Sequence, residues 1–220
     1  MSATALAAPI RAKELSPVEI VQALYARIHE VNPRINAFCR LTEDQALRAA
    51  TDAEASVMRG ARLGALQGLP VSIKDLLLTR GVRTSFGSRI REKYVPEVDA
   101  PAVAKLVAAD AILIGKTTTS EFGFKAVTDS PLTGITRNPW DLSKTSGGSS
   151  GGAGSAVAAG LRPLGLGTDG ADSNRIPSSF NGICELKPSL RPRCGISRPV
   201  PYPVPCRTND SSSPRRGPAA

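Results

Sequence analysis

The chain has 220 residues, 41% apolar and 21% charged, with a formal net charge of +9. That length suffices for a domain with a real core, and the mix is neither that of a disordered chain nor of a fibrous one. No apolar run approaches the roughly 20 residues that span a bilayer. The N-terminus, MSATALAAPIRAKELSP, lacks a basic stretch followed by a long apolar one, so no membrane association and a cytoplasmic location are expected.

The first predicted helix follows LSPVEIVQALYARIHEVN. Ser16 reads as its N-cap, Pro17 as the first helical residue and Glu19 as the partner of a capping box. Ile20, Val21, Leu24 and Ile28 recur at helical spacing and mark one buried stripe. His29 falls opposite that stripe and reads as a solvated surface histidine. A second helix is predicted over residues 43–58, opened by Thr42 and closed by Gly60. GLPVSIKD then reads as a turn and a short buried strand ending at Lys74 and Asp75. Residues 99–110 read as a helix and 111–116 as a buried strand. GAGSAVAAGLRPLGLGTD gives a small-residue helix followed by a strand. Helices alternating with short, apolar strands predict an α/β domain with a largely internal sheet.

From Ser189 the pattern fails. Residues 189–220 hold seven prolines and show neither helical nor strand periodicity, so this tail is expected to be disordered. Residues 187–220 also hold seven Lys and Arg against one acid, Asp210, which places six of the nine net charges there. The basic character thus belongs to the tail, and no specific nucleic-acid site is expected on the folded part.

The four cysteines, Cys39, Cys184, Cys194 and Cys206, form no C-x-x-C pair. Neither a zinc site nor a disulfide framework is indicated, and no metal or cofactor is expected. Gly165, Gly167 and Gly170 match G-x-G-x-x-G, but Pro177 follows within seven residues and argues against the continuous helix a dinucleotide site needs. GKT at 115–117 fails as a phosphate loop because the required first glycine is Asp110. Two serine-bearing glycine-rich loops remain: TSGGSSGG at 145–152 and GLGTDGADSNRIPSSFNG at 165–182. With His29 set aside, a Ser-His-Asp triad is nearly excluded, and lysine is the known substitute base. Lys74, at the end of an apolar strand, suits that role if burial keeps it neutral. It could equally be a strand-terminal lysine paired with Asp75. The first loop could be a flexible linker. Its place between apolar strand and helix favours a backbone that approaches a ligand closely or holds an oxyanion.

The segments GLPVSIKD, GKTTTSEFG, TGITRNPWDLSKTSGGSSGGAGSAVAAG, LGTDG, RIPSSFNGI and LKPS resemble the amidase signature family in their order and spacing, from about residue 5 to residue 189. That family includes bacterial amidases, fatty acid amide hydrolase and the A-type chain of glutamyl-tRNA amidotransferase. The resemblance implies an α/β fold with a mixed sheet surrounded by helices and a Ser–cis-Ser–Lys triad. By motif, Lys74 matches the base, Ser149 the bridging serine and Ser173 the nucleophile. The backbone of Gly170, Ala171, Asp172 and Ser173 matches the oxyanion hole, and Arg175 a buttress of that loop. The implied reaction is acyl transfer from a small-molecule amide through an acyl-enzyme.

The sequence departs from the family's pattern in three ways. Ala171 and Asp172 stand where two glycines are typical, and Asn174 replaces an apolar residue. Glu185 stands where glycine is preferred. The resemblance stops near Ser189, whereas family members continue about as far again. The expectation is therefore residues 1–188 as the N-terminal portion of an amidase signature domain and 189–220 as a Pro/Arg-rich tail. A frameshift or a diverged gene end would account for that. Asp172 near a developing oxyanion is expected to impair or abolish activity. The alternatives are a non-catalytic remnant or binding protein, and an A-like subunit of a tRNA-dependent amidotransferase. An exposed sheet edge is expected to favour homo-oligomers or aggregation.

Overall fold

The computed structural model describes residues 1–187. The predicted tail, residues 189–220, lies outside the described residues, as do Cys194 and Cys206. The core is a four-stranded mixed sheet in the order β1-β3-β2-β8, built from β1 (Phe38–Leu41), β2 (Pro70–Lys74), β3 (Ile112–Thr117) and β8 (Leu164–Leu166). β3 and β8 both run parallel to β2, and β1 runs antiparallel to β3. Among the described residues β1 and β8 are the outer strands of this sheet.

Among the described residues six α-helices complete the layers: α1 (Ala3–Arg11), α2 (Pro17–Ile35), α3 (Glu43–Met58), α4 (Pro101–Ala108), α5 (Gly151–Ala158) and α6 (Arg175–Asn181). One apolar cluster joins Leu6 and Ile10 of α1 and Val103 and Leu106 of α4 to Val71, Ile73, Leu164 and Leu166 of the sheet. The other joins Val21, Tyr25 and Ile28 of α2, Ala46 and Ala50 of α3 and Ala156 of α5 to Ile112 and Ile114. Strand side chains alternate between faces. Val71 and Ile73 enter the first cluster, so Ser72 and Lys74 turn to the side of α5.

The predicted helices and strands appear close to their expected bounds. Ser16 caps α2, accepting from the Val18 and Glu19 N–H groups at 3.1 and 3.2 Å. Thr42 precedes α3 but does not cap it through its side chain; its hydroxyl donates to the Leu113 carbonyl of β3 instead. Three features depart from the sequence reading. α1 was not anticipated, because Pro9 in its last turn masks a weak alanine-rich stripe. β1 and two short hairpins, β4 (Asp129–Ser130) with β5 (Gly134–Ile135) and β6 (Arg137–Asn138) with β7 (Asp141–Thr145), also lacked a readable period. A helix does follow the second glycine loop: Pro177 sits in the first turn of α6, where its missing N–H costs nothing. That helix is only seven residues long. His29 is exposed and bonds Glu43 at 3.1 Å, as a surface histidine would.

Candidate active site

β2 and β8 run parallel, so their carboxyl ends lie side by side, the usual place for a site in an open α/β sheet. Lys74 is the last residue of β2. Thr168 and Asp169 follow β8, and Ser149 and Ser150 lead into α5. These elements bring the Lys74 ammonium to three hydroxyl oxygens: Ser149 at 2.7 Å, Ser150 at 2.8 Å and Thr168 at 2.9 Å. Ser149 Oγ in turn donates to Ser173 Oγ at 3.0 Å. Lys74, Ser149 and Ser173, separated by up to 99 positions in sequence, thus form one continuous chain of hydrogen bonds.

The Gly148–Ser149 peptide is cis. Gly148 packs so tightly on the neighbouring loop that a Cβ there would lie 2.5 Å from the Val127 backbone. Gly123 lies on the other side of Ser149 with φ 78; its Cβ would meet Leu76 Cδ1 at 2.8 Å and Ser149 Oγ at 3.4 Å. Glycine at both places lets backbone press against the serine without displacing its hydroxyl.

Lys74 is fully buried. Burial pulls its pKa down from 10.5 to about 7, against a smaller upward pull from Asp169. Lys74 does not pair with Asp75. The Asp75 carboxylate faces the opposite way, accepting the Ser85 N–H at 3.0 Å and the Ser85 hydroxyl at 2.5 Å. It also lies 3.9 Å from the ammonium of Lys116, a second buried lysine. Lys116 donates to the Leu77 carbonyl at 2.5 Å and to the Thr79 and Thr84 hydroxyls, each at 3.0 Å. The strand-terminal ion pair weighed for Lys74 therefore exists, but between Asp75 and Lys116.

The loop before α6 is organised by Asp169, which sequence reasoning did not single out. Arg175 donates to it from Nε and from a terminal nitrogen, both at 3.0 Å. The Asp172 and Asn174 N–H groups donate to the same carboxylate at 3.0 and 3.2 Å. Burial raises the Asp169 carboxyl, but these donors outweigh it and hold it below its ordinary value. Arg175 also pairs with Asp172 at 2.5 Å. Arg175 thus contacts two carboxylates of this loop.

Two features of Asp172 bear on what the sequence led us to expect of it. Its N–H is committed to Asp169, so it is not available to an oxyanion. Among the described residues, the N–H groups of Gly170, Ala171 and Ser173 carry no internal hydrogen bond and remain available. Its carboxylate is paired with the Arg175 guanidinium rather than left as an isolated charge beside the oxyanion. Asp172 has φ 67, which explains why glycine suits this position. Ser150 and Thr168 were also missed, although both sit in the two glycine-rich loops already marked.

In front of Ser173 lies a cleft of about 630 Å³ lined by Leu76, Phe122, Phe124, Ser149, Asp169 and Ser173 among others. That is the size of a small-molecule site. Among the described residues no three of His, Cys, Asp and Glu converge as metal ligands. No helix among them is long and apolar enough to cross a membrane.

The amidase family model matches residues 19–199 of the chain. The chain belongs to the amidase signature family. It is 43% identical over 178 residues to the A-type chain of the glutamyl-tRNA(Gln) amidotransferase of Picosynechococcus sp., covering 81% of this chain and 37% of that protein. Among solved structures it is similar to a bacterial aryl acylamidase of the amidase signature family, with TM-score 0.80 and 33% identity over 83% of this chain and 38% of that one. The peptide amidase from Stenotrophomonas maltophilia matches with TM-score 0.79 and 33% identity, over 83% of this chain and 39% of that one. The chain thus spans about two fifths of the length of the relatives it matches. These likenesses account for the mixed sheet and its helical layers.

Proposed function

We propose that this amidase-signature chain carries an acyl-transfer site for carboxamide C–N bonds, with Ser173 as nucleophile, Ser149 as proton relay and Lys74 as base. The observation that carries the reading is the unbroken Lys74–Ser149–Ser173 chain at 2.7 and 3.0 Å. A neutral amine has two protons and one lone pair, which matches the three oxygens around Lys74. It would donate to Ser150 and Thr168 and accept from Ser149. Hydroxyl hydrogens rotate, so the same heavy atoms serve this polarity and the reverse one of a charged Lys74.

In the forward step Ser173 Oγ attacks the amide carbonyl carbon. The Ser173 proton passes to Ser149 as the Ser149 proton passes to Lys74. The negative carbonyl oxygen would be met by the free N–H groups of Gly170, Ala171 and Ser173. Collapse breaks the C–N bond, and the proton returns through Ser149 to the leaving amine. Water then repeats the route, forming the acid and restoring Ser173.

A fluorophosphonate, which captures activated serines, tests the reading by intact mass. One adduct on the chain and none on Ser173→Ala is the expected result. No adduct on folded chain would overturn it. A second reading, a component of a tRNA-dependent amidotransferase, is favoured by the 43% identity to the A-type chain of such an enzyme. Stable co-purification with the remaining chains of that enzyme would distinguish it.

A further inference from the structure

Lys116 is buried as deeply as Lys74, and the proposed proton transfer does not use it. Its ammonium reaches from β3 to the segment that follows β2. There it donates to the Leu77 carbonyl and to the Thr79 and Thr84 hydroxyls, with the Asp75 carboxylate 3.9 Å away. The two threonines pass the contact on, donating to the Leu77 and Val82 carbonyls at 3.2 and 3.1 Å. Asp75 returns to the far end of the same segment. Its carboxylate accepts the Ser85 N–H and hydroxyl, and its carbonyl accepts the Phe86 N–H at 3.1 Å. Residues 75–86 thus close around one ammonium. Thr79, Thr84 and Ser85 are buried as well. Each of these polar groups would lose its partner without water to replace it, so the network fixes the loop's shape.

Both ends of this loop press on the turn that backs Ser149. At one end Leu76 meets Gly123, whose added Cβ would lie 2.8 Å from Leu76 Cδ1 and 3.4 Å from Ser149 Oγ. At the other end the Phe86 carbonyl accepts the Phe122 N–H at 2.8 Å, and the two rings stack with centroids 6.2 Å apart. Gly87 adds a backbone contact: a Cβ there would lie 2.8 Å from the Thr119 carbonyl oxygen. Phe86 and Phe122 both hold left-handed backbone, with φ 56 and 49, which bulky residues rarely adopt. Such backbone persists where the surroundings over-determine it. Here the surroundings are the loop closed on Lys116, which grips the Phe122–Gly123 turn from two sides.

We propose that Lys116 is a positioning residue for the relay serine: through residues 75–86 it holds the Phe122–Gly123 backbone against Ser149. The inference rests on the acyl-transfer reading only for the role of Ser149. Two readouts on the full chain test it: hydrogen exchange of the Phe122 and Gly123 N–H groups by NMR, and the fluorophosphonate capture rate as a function of reagent concentration. In Lys116→Met, exchange at these two amides should quicken at least roughly tenfold more than at the amides of α2, since a local opening leaves distant amides protected. A lysine that served only global stability would quicken both sets alike. The maximal capture rate should fall at least roughly tenfold, with the half-saturating concentration held within about twofold, because a displaced relay slows the chemistry without touching the reagent's binding. Thr84→Val removes one acceptor of the ammonium, keeps the side-chain volume and leaves the Asp75 pair intact, so a folded variant is expected even where Lys116→Met does not fold. It should move both readouts the same way, by roughly threefold. Exchange at Phe122 and Gly123 that merely tracks α2 in a folded variant would overturn the proposal, as would an unchanged maximal capture rate. Exchange needs no chemistry, so the two ideas fail separately. A loosened turn in a chain that forms no adduct sinks the acyl-transfer reading alone, and an adduct with unchanged exchange in the variants sinks the positioning role alone.

Discussion

Replacing Lys74 with methionine should flatten the pH dependence of stability. Burial brings Lys74 to about 7 in the folded chain, against 10.5 for an unperturbed lysine. Between those pH values the unfolded chain binds a proton at this position that the folded chain does not. Stability therefore rises with pH through that window, and below it both states are protonated and the full desolvation penalty remains. Carried through the linkage relation, the two pKa values give a gain of about 2 kcal/mol between pH 6 and pH 8.5 from this group. Lys116, lowered to about 8 by burial against the pull of Asp75, adds about 1 kcal/mol in the same direction over that range. Burial raises the Asp75 carboxyl, so its contribution falls as pH rises through its folded value. Lys116 and Asp75 are present in both proteins and cancel in the comparison. Methionine also strips the Ser149, Ser150 and Thr168 hydroxyls of a partner, but that cost does not titrate here. Urea unfolding followed by circular dichroism at the two pH values gives both stabilities by linear extrapolation. Lys74→Met should keep the Lys116 share of the gain and lose about 2 kcal/mol of the rest. Parallel pH dependences in the two proteins would show that Lys74 titrates normally and is no candidate base.

The adduct chemistry should follow the same group: the rate of fluorophosphonate capture at Ser173 should rise with pH through about 7 and level off above it. A flat rate across that range would remove Lys74 as the proton acceptor. Gly123→Ala places a methyl group 2.8 Å from Leu76 and 3.4 Å from Ser149 Oγ at φ 78. It should destabilise by about 1–2 kcal/mol in urea and slow capture at least roughly tenfold by displacing the relay serine. Asp172→Gly relieves a left-handed backbone, about 1 kcal/mol, and loses a half-exposed ion pair worth less than about 1 kcal/mol. Its urea midpoint should hold or rise and its capture rate should stay unchanged; a clear loss of stability would mean that the Arg175 contact organises the loop.

How far the sequence reached depended on whether a feature is local. The capped start of α2 and the apolar runs of β2 and β3 depend on near neighbours, and they were legible. α1 and most of the short strands were not, because two to five residues of strand carry little period and Pro9 obscures the first stripe. The two serine loops were visible as glycine-rich interruptions. Their convergence on Lys74 was not legible in composition or spacing and came only from the family resemblance, since it depends on β2 and β8 lying parallel and adjacent. The same limit governed Lys74 itself. A strand-ending Lys-Asp pair has two equally good readings until the strand's neighbours are known. The register with β3, which sets Lys74 beside Thr117 and Ile73 beside Lys116, is what gives Asp75 a different lysine. The sign of φ at Asp172 also depends on loop closure, so the composition of GADS suggested a misplaced charge where the structure has a paired one.

The two buried lysines show how one fold gives the same side chain opposite uses. Both have lost their water, and burial lowers both. Lys116 keeps a carboxylate 3.9 Å away and a carbonyl at 2.5 Å, partners that favour its charged form. Lys74 has three hydroxyls, which can donate as readily as they accept and so favour neither form strongly. The nearest influence that would restore its charge is Asp169, and Arg175 holds that carboxylate in a two-point contact. Diverting Asp169 to Arg175 leaves the Lys74 ammonium without a close counter-charge, while Arg175 also pairs with Asp172 next to Ser173. In the proposed acyl transfer, one half-exposed arginine thereby meets both charges that would oppose it: Asp169, which would favour the protonated form of Lys74, and Asp172, which would repel the oxyanion.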